Sequence, residues 1–444
     1  MAANLIMKRV LIISPNFPPI NAADMHRVRQ SLPYFSELGW EPVVLTVDEK
    51  YIEAYSTDPL LLHTVPAGIE IHKVAAWDVS RTRKFGLGAL GMRSYTHLKR
   101  KGNELLKNRH FDLVYFSTTA FHVMALGPYW NKRFGVPFIL DIQDPWRNDF
   151  YLDKPASERP PKFFLAYNID KYLEARTIPR TAGIISVSQG YCDTFMQRYP
   201  SIQSHQCRVI PFGAAARDMD IMRQHVSRSS IITFSPDKIN IVYIGRGGHD
   251  MRFALDIIFT AFVKGRQTDP ALFSRIHFWF IGTSYAPAGT GRQTIVQVAK
   301  DHGVEENVTE IPDRIPYFDT LYLLQQADIL LVPGSTDTNY TASKIYPYIL
   351  ARKPLLAVFH RKSSVLKVLE DTEYGSTVIF DDPKDGAYKY AADCLSQLNK
   401  LLAQRGQTID FNMQGFEQYT AKSMTEKQVN FFNQVLIRST HAGN

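Results

Sequence analysis

A chain of 444 residues is too long for one hydrophobic core of ordinary size and favours two domains. Its 45% hydrophobic and 21% charged content excludes disordered and fibrous classes, and no apolar run approaches the roughly 20 residues that cross a bilayer as a helix. The net charge of +8 is localised: residues 81–110 carry nine Lys/Arg against Glu104 alone, and removing these from the totals of 51 and 43 leaves 42 bases and 42 acids elsewhere. Such an excess points to a surface for an anionic partner.

In chain order, Lys8-Arg-Val-Leu-Ile-Ile13 runs into Pro15 and Pro18-Pro19 instead of a small-residue cleavage site, so it reads as a buried strand and not as a secretory leader. A helical pattern follows (Val28, Leu32, Phe35, Leu38), with Gly39 as its stop and Pro42–Val47 as the next strand. Near-continuous apolar strands of this kind belong to a parallel sheet covered on both faces. Further strands are expected at 69–74, 112–116, 138–141, 183–187 and 208–210. The polar stretch 214–237 reads as an interdomain linker, after which the alternation restarts at 239–244 and continues through 276–281, 309–311, 329–332, 354–358 and 377–380. Residues 414–444 read as a terminal helical segment. Cys192, Cys207 and Cys394 are odd in number and lack metal-ligand spacing, which fits reduced thiols in a cytoplasmic protein without a metal site.

In doubly wound sheets, ligands gather beyond the carboxyl ends of the strands. Gly245-Arg-Gly-Gly248 follows the first strand of the second half; its glycines let backbone approach a phosphate and Arg246 adds fixed charge, although a tight turn also accounts for them. Ser343-Lys-Ile345 opens a helix, and a lysine there opposes the helix dipole unless an anion binds or solvent surrounds it. Asp144 and Trp146, at the end of a first-half strand, suit a group that orients a sugar hydroxyl and a ring that stacks on a sugar; a helix cap and a core tryptophan are the other readings. His122 fits either an acid–base role or a structural one. Residues 84–106 place Tyr95, Leu98, Leu105 and Leu106 beside Lys99-Arg-Lys101, which suits either an anionic membrane surface or a solvated helix; no nucleic-acid motif accompanies the charge.

Together, Asn16-Phe-Pro-Pro19 with Arg27, Val136-Pro-Phe-Ile-Leu-Asp-Ile-Gln-Asp-Pro-Trp146, Gly183-Ile-Ile-Ser-Val-Ser188, Val209-Ile-Pro-Phe-Gly213, Tyr243-Ile-Gly-Arg246 and Ser343-Lys-Ile-Tyr-Pro-Tyr348 resemble the GT-B glycosyltransferases of family 4. The resemblance implies an α/β fold of two Rossmann-like doubly wound domains facing across a cleft: an acceptor domain over 1–213, a donor domain over 238–413, and a final helix crossing back onto the first domain. It implies retaining, metal-independent transfer of a hexose-type sugar from a nucleotide-diphosphate sugar, UDP favoured over GDP, to a glycan or lipid-linked acceptor in cell-surface polysaccharide or glycoconjugate synthesis; the cysteines and the basic segment add the expectation of a cytoplasmic protein that meets the inner membrane face through 81–109. The resemblance makes Arg246 and Lys344 the cations that hold the donor diphosphate, with Arg252 as the alternative second cation. Gly245, Gly247, Gly248, Ser343 and Ile345 surround them, Asp144 and His122 are catalytic candidates, and Asn21, Arg27, Thr118, Trp146 and Arg147 lie on the acceptor side. The sequence departs from the family at Asn339 and Pro347, where a glutamate pair is usual, and at Asn21-Ala-Ala-Asp24, where glycines are usual. These departures keep open a catalytically silent subunit or a nucleotide-sugar epimerase.

Overall fold

A computed structural model describes residues 7–53, 55–155, 158–160, 162–284, 286, 289–337 and 344–441. The chain forms two compact units, Met1–Gly213 with Ala421–Asn444, and Ala214–Thr420.

The first unit contains β1 (Lys8–Ile13), α1 (His26–Ser31), β2 (Trp40–Val47), β3 (Glu70–Val74), α2 (Val79–Thr82), α3 (Leu90–Asn108), β4 (Leu113–Ser117), α4 (Leu126–Phe134), β5 (Phe138–Ile142), α5 (Phe163–Thr177), β6 (Gly183–Ser186), α6 (Gln189–Arg198) and β7 (Cys207–Val209). Its sheet is parallel throughout, in the order β3-β2-β1-β4-β5-β6-β7. Successive β1 residues serve opposite layers, as the strand period requires: Leu11 and Ile13 join one core with Leu98, Trp130 and Phe138, while Val10 and Ile12 join another with Val28, Phe35 and Phe432. Four consecutive residues, Val10 to Ile13, are thereby fully buried, which is why the strand reads as a continuous apolar run.

Gly102, on the inner face of α3, shows how tightly one layer closes. A methyl at this position would lie 2.2 Å from the Trp130 ring, and Trp130 is fully buried, stacked on Phe116 and bonded through Nε1 to Asn103 at 2.9 Å. The ring has no room to withdraw. Gly102→Ala is therefore expected to destabilise the protein by about 1–3 kcal/mol through overpacking, read as an earlier urea midpoint at unchanged slope.

The second unit contains α7 (Ala216–His225), β8 (Ile239–Ile244), α8 (Arg252–Thr268), α9 (Pro270–Phe273), β9 (Ile276–Ile281), α10 (Ile295–Asp301), β10 (Val308–Ile311), α11 (Tyr317–Gln326), β11 (Ile329–Pro333), α12 (Ile345–Ala351), β12 (Leu355–His360), α13 (Ser364–Thr372), β13 (Ser376–Phe380), α14 (Tyr388–Gln404) and α15 (Met413–Glu417). Its parallel sheet runs β10-β9-β8-β11-β12-β13. The stretch expected as a linker departs from expectation: α7 buries Met219, Ile221 and Met222 within this unit, and Tyr317 on α11 donates to Asp218 at 2.7 Å. A short amphipathic helix with polar residues on its outer side gives little sequence signal.

The terminal helix α16 (Ala421–His441) belongs to the first unit, separated from α15 by a turn at 418–420. Phe432 is enclosed by Phe35, Trp40 and Tyr115, with ring centroids at 6.3, 5.5 and 5.0 Å. Gln428, also fully buried, accepts from Ser31 Oγ at 2.8 Å and donates to the Tyr115 hydroxyl at 3.0 Å. Apolar burial and satisfied polar groups thus fix the helix on the sheet.

Candidate functional site

Both sheets reverse direction of winding beside their first strand, between β1 and β4 in one unit and between β8 and β11 in the other. Each switch point leaves a crevice at the carboxyl ends of the strands, the usual ligand position in such sheets. The chain bridges both in the same manner, with an aspartate after the first strand bonded to hydroxyl residues after the fourth.

In the second unit the bridge is Asp250, whose carboxylate accepts from Ser335 Oγ at 2.5 Å and whose carbonyl accepts from Thr336 N at 2.9 Å. Arg246 closes on the same carboxylate with two bonds, at 3.0 and 2.6 Å. Burial acts to raise the Asp250 pKa, but the bonds from Arg246 and Ser335 and the Arg246 charge outweigh it and hold the carboxyl below its usual value. Arg246 is thus oriented by a carboxylate that also neutralises part of its charge.

Lys344 is different. It precedes α12, which is bolted to the end of β8 because the Tyr348 hydroxyl accepts from Ile244 N at 2.8 Å and donates to Ile244 O at 3.2 Å. Its Nζ is buried and has no hydrogen-bond partner among the described residues. Desolvation, then the charges of Arg314 and Arg246, lower its pKa from 10.5 to about 7. Only glycine fits beneath it: a methyl on Gly245 would lie 2.5 Å from Nζ and 2.7 Å from the Tyr243 hydroxyl. A buried ammonium with no counter-ion among the described residues, next to two guanidinium groups, is costly unless an anion completes the site.

The glycine loop itself differs from expectation. The N–H groups of Gly245 and Gly247 donate to Ile281 O at 2.8 Å and Thr283 O at 2.7 Å, so they tie the loop to the end of β9 instead of facing a phosphate. A methyl on Gly248 would meet Asp250 at 2.5 Å and Arg246 at 2.8 Å, so this glycine makes room for the ion pair. Ile345 is buried in the core, and Ser343 lies outside the described residues, as does Asn339. Arg252, the alternative cation, is engaged elsewhere, with Asp301 at 2.6 Å. Arg314 was missed in the sequence, because nothing in its local pattern marks it; it is exposed after β10 and contributes to the field at Lys344.

In the first unit the bridge is Asp24, which accepts from Thr118 Oγ1 at 2.9 Å, Thr119 N at 3.0 Å and Asn16 Nδ2 at 3.0 and 3.1 Å. Burial raises its pKa, and these bonds oppose the rise only in part. Behind it Asp141 gathers Arg27 Nε at 2.8 Å, Ser117 Oγ at 2.7 Å and Gln143 Nε2 at 2.7 Å. Arg27 also donates to Ile210 O at 2.6 Å and is fully buried over the Phe212 ring, so it does not present its charge to an acceptor. Thr118 is equally buried by its bond to Asp24.

The remaining first-unit candidates separate in the same way. Trp146 is 3% exposed and stacked on Phe121 at 5.8 Å, which makes it part of the core. Arg147 donates through its backbone to Glu174 at 3.1 Å and through Nε to Asp149 at 3.1 Å. His122 pairs with Asp170 at 3.3 Å, and Asn21 donates through its backbone to Ser56 O at 2.9 Å. Asp144 alone stands outward at the end of β5; surrounding protein and the nearby Asp24 carboxylate still raise its pKa.

No protein-family model matches the chain, and no curated protein matches it in sequence. Solved structures do match. A UDP-forming α,α-trehalose-phosphate synthase from Burkholderia xenovorans aligns with a TM-score of 0.60 at 11% identity, over 97% of this chain and 99% of its own. The N-terminal domain of Candida albicans trehalose-6-phosphate phosphatase aligns with 0.60 at 13%, over 98% of each. HepE from Anabaena, solved with UDP-glucose, aligns with 0.50 at 14%, over 98% of this chain and 99% of its own. At such identities the likeness concerns architecture, and with the two parallel sheets it establishes that this chain has the GT-B fold of two Rossmann-like units.

Proposed function

We propose that this protein is a retaining glycosyltransferase, of the family 4 type, which transfers a hexose-type sugar from a UDP-sugar to a hydroxyl of a glycan or lipid-linked acceptor in cell-surface polysaccharide or glycoconjugate synthesis. The observation that carries the reading is Lys344: a buried amine with no hydrogen-bond partner among the described residues, over Gly245 and beside Arg246 and Arg314, at the switch point of the second sheet. A diphosphate leaving group gains charge as the glycosidic bond breaks, and fixed cations at that position stabilise the transition state more than the ground state. In this reading Lys344, Arg246 and Arg314 supply the positive charge and no metal is required. The neighbour solved with UDP-glucose and the UDP-forming synthase support UDP as the nucleotide.

In the first unit Asp144 is the group proposed to orient the acceptor hydroxyl, since it is the outward carboxylate at the strand ends. Retention requires no carboxylate nucleophile when the leaving phosphate takes the acceptor proton. The direct test is UDP and GDP release from a panel of nucleotide sugars with and without lipid-linked glycan acceptors. Acceptor-dependent UDP release is expected; sugar isomerisation without acceptor, or turnover of GDP-sugars alone, would overturn the reading.

A further inference from the structure

The basic segment is divided by the fold: Arg93, Lys99, Lys101 and Arg109 are engaged, while Arg100 and Lys107 on α3 and the cations of its first part are exposed. Arg93 is 3% exposed and donates to the carbonyls of Gly88 at 3.2 Å, Trp77 at 2.8 Å and Tyr51 at 3.0 Å, so it bolts the loop before α3 in place. Lys99 lies over the Tyr129 ring at 4.1 Å, Lys101 pairs with Glu104 at 2.6 Å, and Arg109 pairs with Glu70 at 2.6 Å. Leu98, Leu105 and Leu106 are buried in the core, so α3 has no apolar stripe to offer a membrane. By contrast Arg81, Arg83 and Lys84 are exposed and have no side-chain hydrogen bond or ion pair among the described residues. The one acid of this loop, Asp78, is occupied in capping α2 through the N–H groups of Ser80 and Arg81.

Large exposed apolar side chains stand on the same loop as these free cations and on the helix that meets it. Trp77 is 56% exposed and Leu87 46%, and on the first turn of α5 Phe164 and Leu165 are 55% and 56% exposed. The two segments meet, because a methyl on Gly86 would lie 3.9 Å from Leu165 Cδ2. Arg159 covers the Phe164 ring at 5.0 Å, which adds a cation to the same surface. The surface also flanks the ligand end of the first sheet: Gly91, in the first turn of α3, is packed so closely on the loop after β4 that a methyl would lie 2.8 Å from Ala120 O.

We infer that Trp77, Leu87, Phe164 and Leu165, with Arg81, Arg83 and Lys84, form a docking surface for an anionic lipid bilayer. Exposed apolar groups accompanied by exposed cations match the boundary between acyl chains and anionic headgroups, where rings and leucines enter the apolar layer and the cations remain at the phosphates. Flexible polyanions and acidic proteins offer the charge but no apolar layer for four large side chains. The inference is independent of the transferase reading, since it concerns partitioning alone.

The test is flotation of the full chain with vesicles of phosphatidylcholine, alone or with 30% phosphatidylglycerol, at about 50 mM and 500 mM salt. Binding to the anionic vesicles that salt weakens is expected. An Arg81→Ala, Arg83→Ala, Lys84→Ala triple variant should bind about 100-fold more weakly, from the contribution of each base near an anionic leaflet. Phe164→Asp with Leu165→Asp should lose at least about 10-fold, with an unchanged thermal transition because both side chains are exposed. Absence of vesicle binding, or binding unaffected by the Phe164 and Leu165 replacements, would overturn the inference. So would heparin binding that matches vesicle binding in every variant, the behaviour of a general polyanion site.

Discussion

Lys344→Met is expected to abolish sugar transfer and, in the same protein, to raise the melting temperature of the ligand-free form. Loss of one cation that stabilises a leaving group in a dry site costs about 10²–10³ in kcat. Stability moves the other way because the wild-type amine is buried with no counter-ion among the described residues, and replacing a buried charge with an apolar group of similar shape commonly stabilises by about 1–4 kcal/mol. The pH dependence has a definite sign. The folded-state pKa is lowered, from 10.5 to about 7, so between those values the unfolded chain holds the extra proton. The penalty is therefore fully present below about pH 7 and fades as the pH rises towards 10.5. Thermal melts of the two proteins should converge over that window. A residue kept for packing would show the opposite pattern, with the variant less stable at every pH.

Arg27→Ala is expected to cost about 3–5 kcal/mol of stability, because it leaves Asp141 buried without its counter-charge and frees the carbonyls of Ile210 and Pro211 from their donor. Both partners of the Arg27–Asp141 pair are fully buried. Pairing the change with its partner separates the mechanism from simple loss of packing. Arg27→Met with Asp141→Leu should recover much of the loss, since it removes both charges together. Denaturant unfolding of the two single variants and the double one gives the coupling directly. A KM effect from Arg27→Ala without loss of stability would instead return this residue to the acceptor surface.

The inner strands were legible because they are buried on both faces. Val10–Ile13, Ile239–Ile244 and Ile329–Pro333 read as continuous apolar runs, and all thirteen strands lie where such runs or their shorter equivalents fall. The polar helix α7 was not legible, because its buried face consists of four residues in ten and one of them is Asp218. Within the site, Lys344 was visible through a local conflict, a cation placed where a helix dipole disfavours it. Asp250 had a local signal as well, four residues after Arg246, and its role as a clamp depends on Ser335, which lies 85 residues away.

Asp24 and Asp141 were hidden for the same reason, since their donors Thr118 and Arg27 stand 94 and 114 positions distant. The sequence suggested Trp146 as ligand-facing because its ring suits a sugar, and the family resemblance placed Arg27 and Thr118 with it. Burial, which no local pattern reports, placed them behind the surface. Between them these buried groups shape the switch point of the first sheet, and Asp144 remains as the outward group there.

The central claim is that a diphosphate completes the charge at Lys344, and calorimetric titration with UDP in two buffers of different ionisation enthalpy tests it most directly. At pH 8 the free amine is mostly neutral and the bound one protonated, so binding should take up about one proton per site, and Lys344→Met should remove both the uptake and most of the affinity. Binding of UDP with no proton uptake, or with equal affinity in Lys344→Met, would contradict the account.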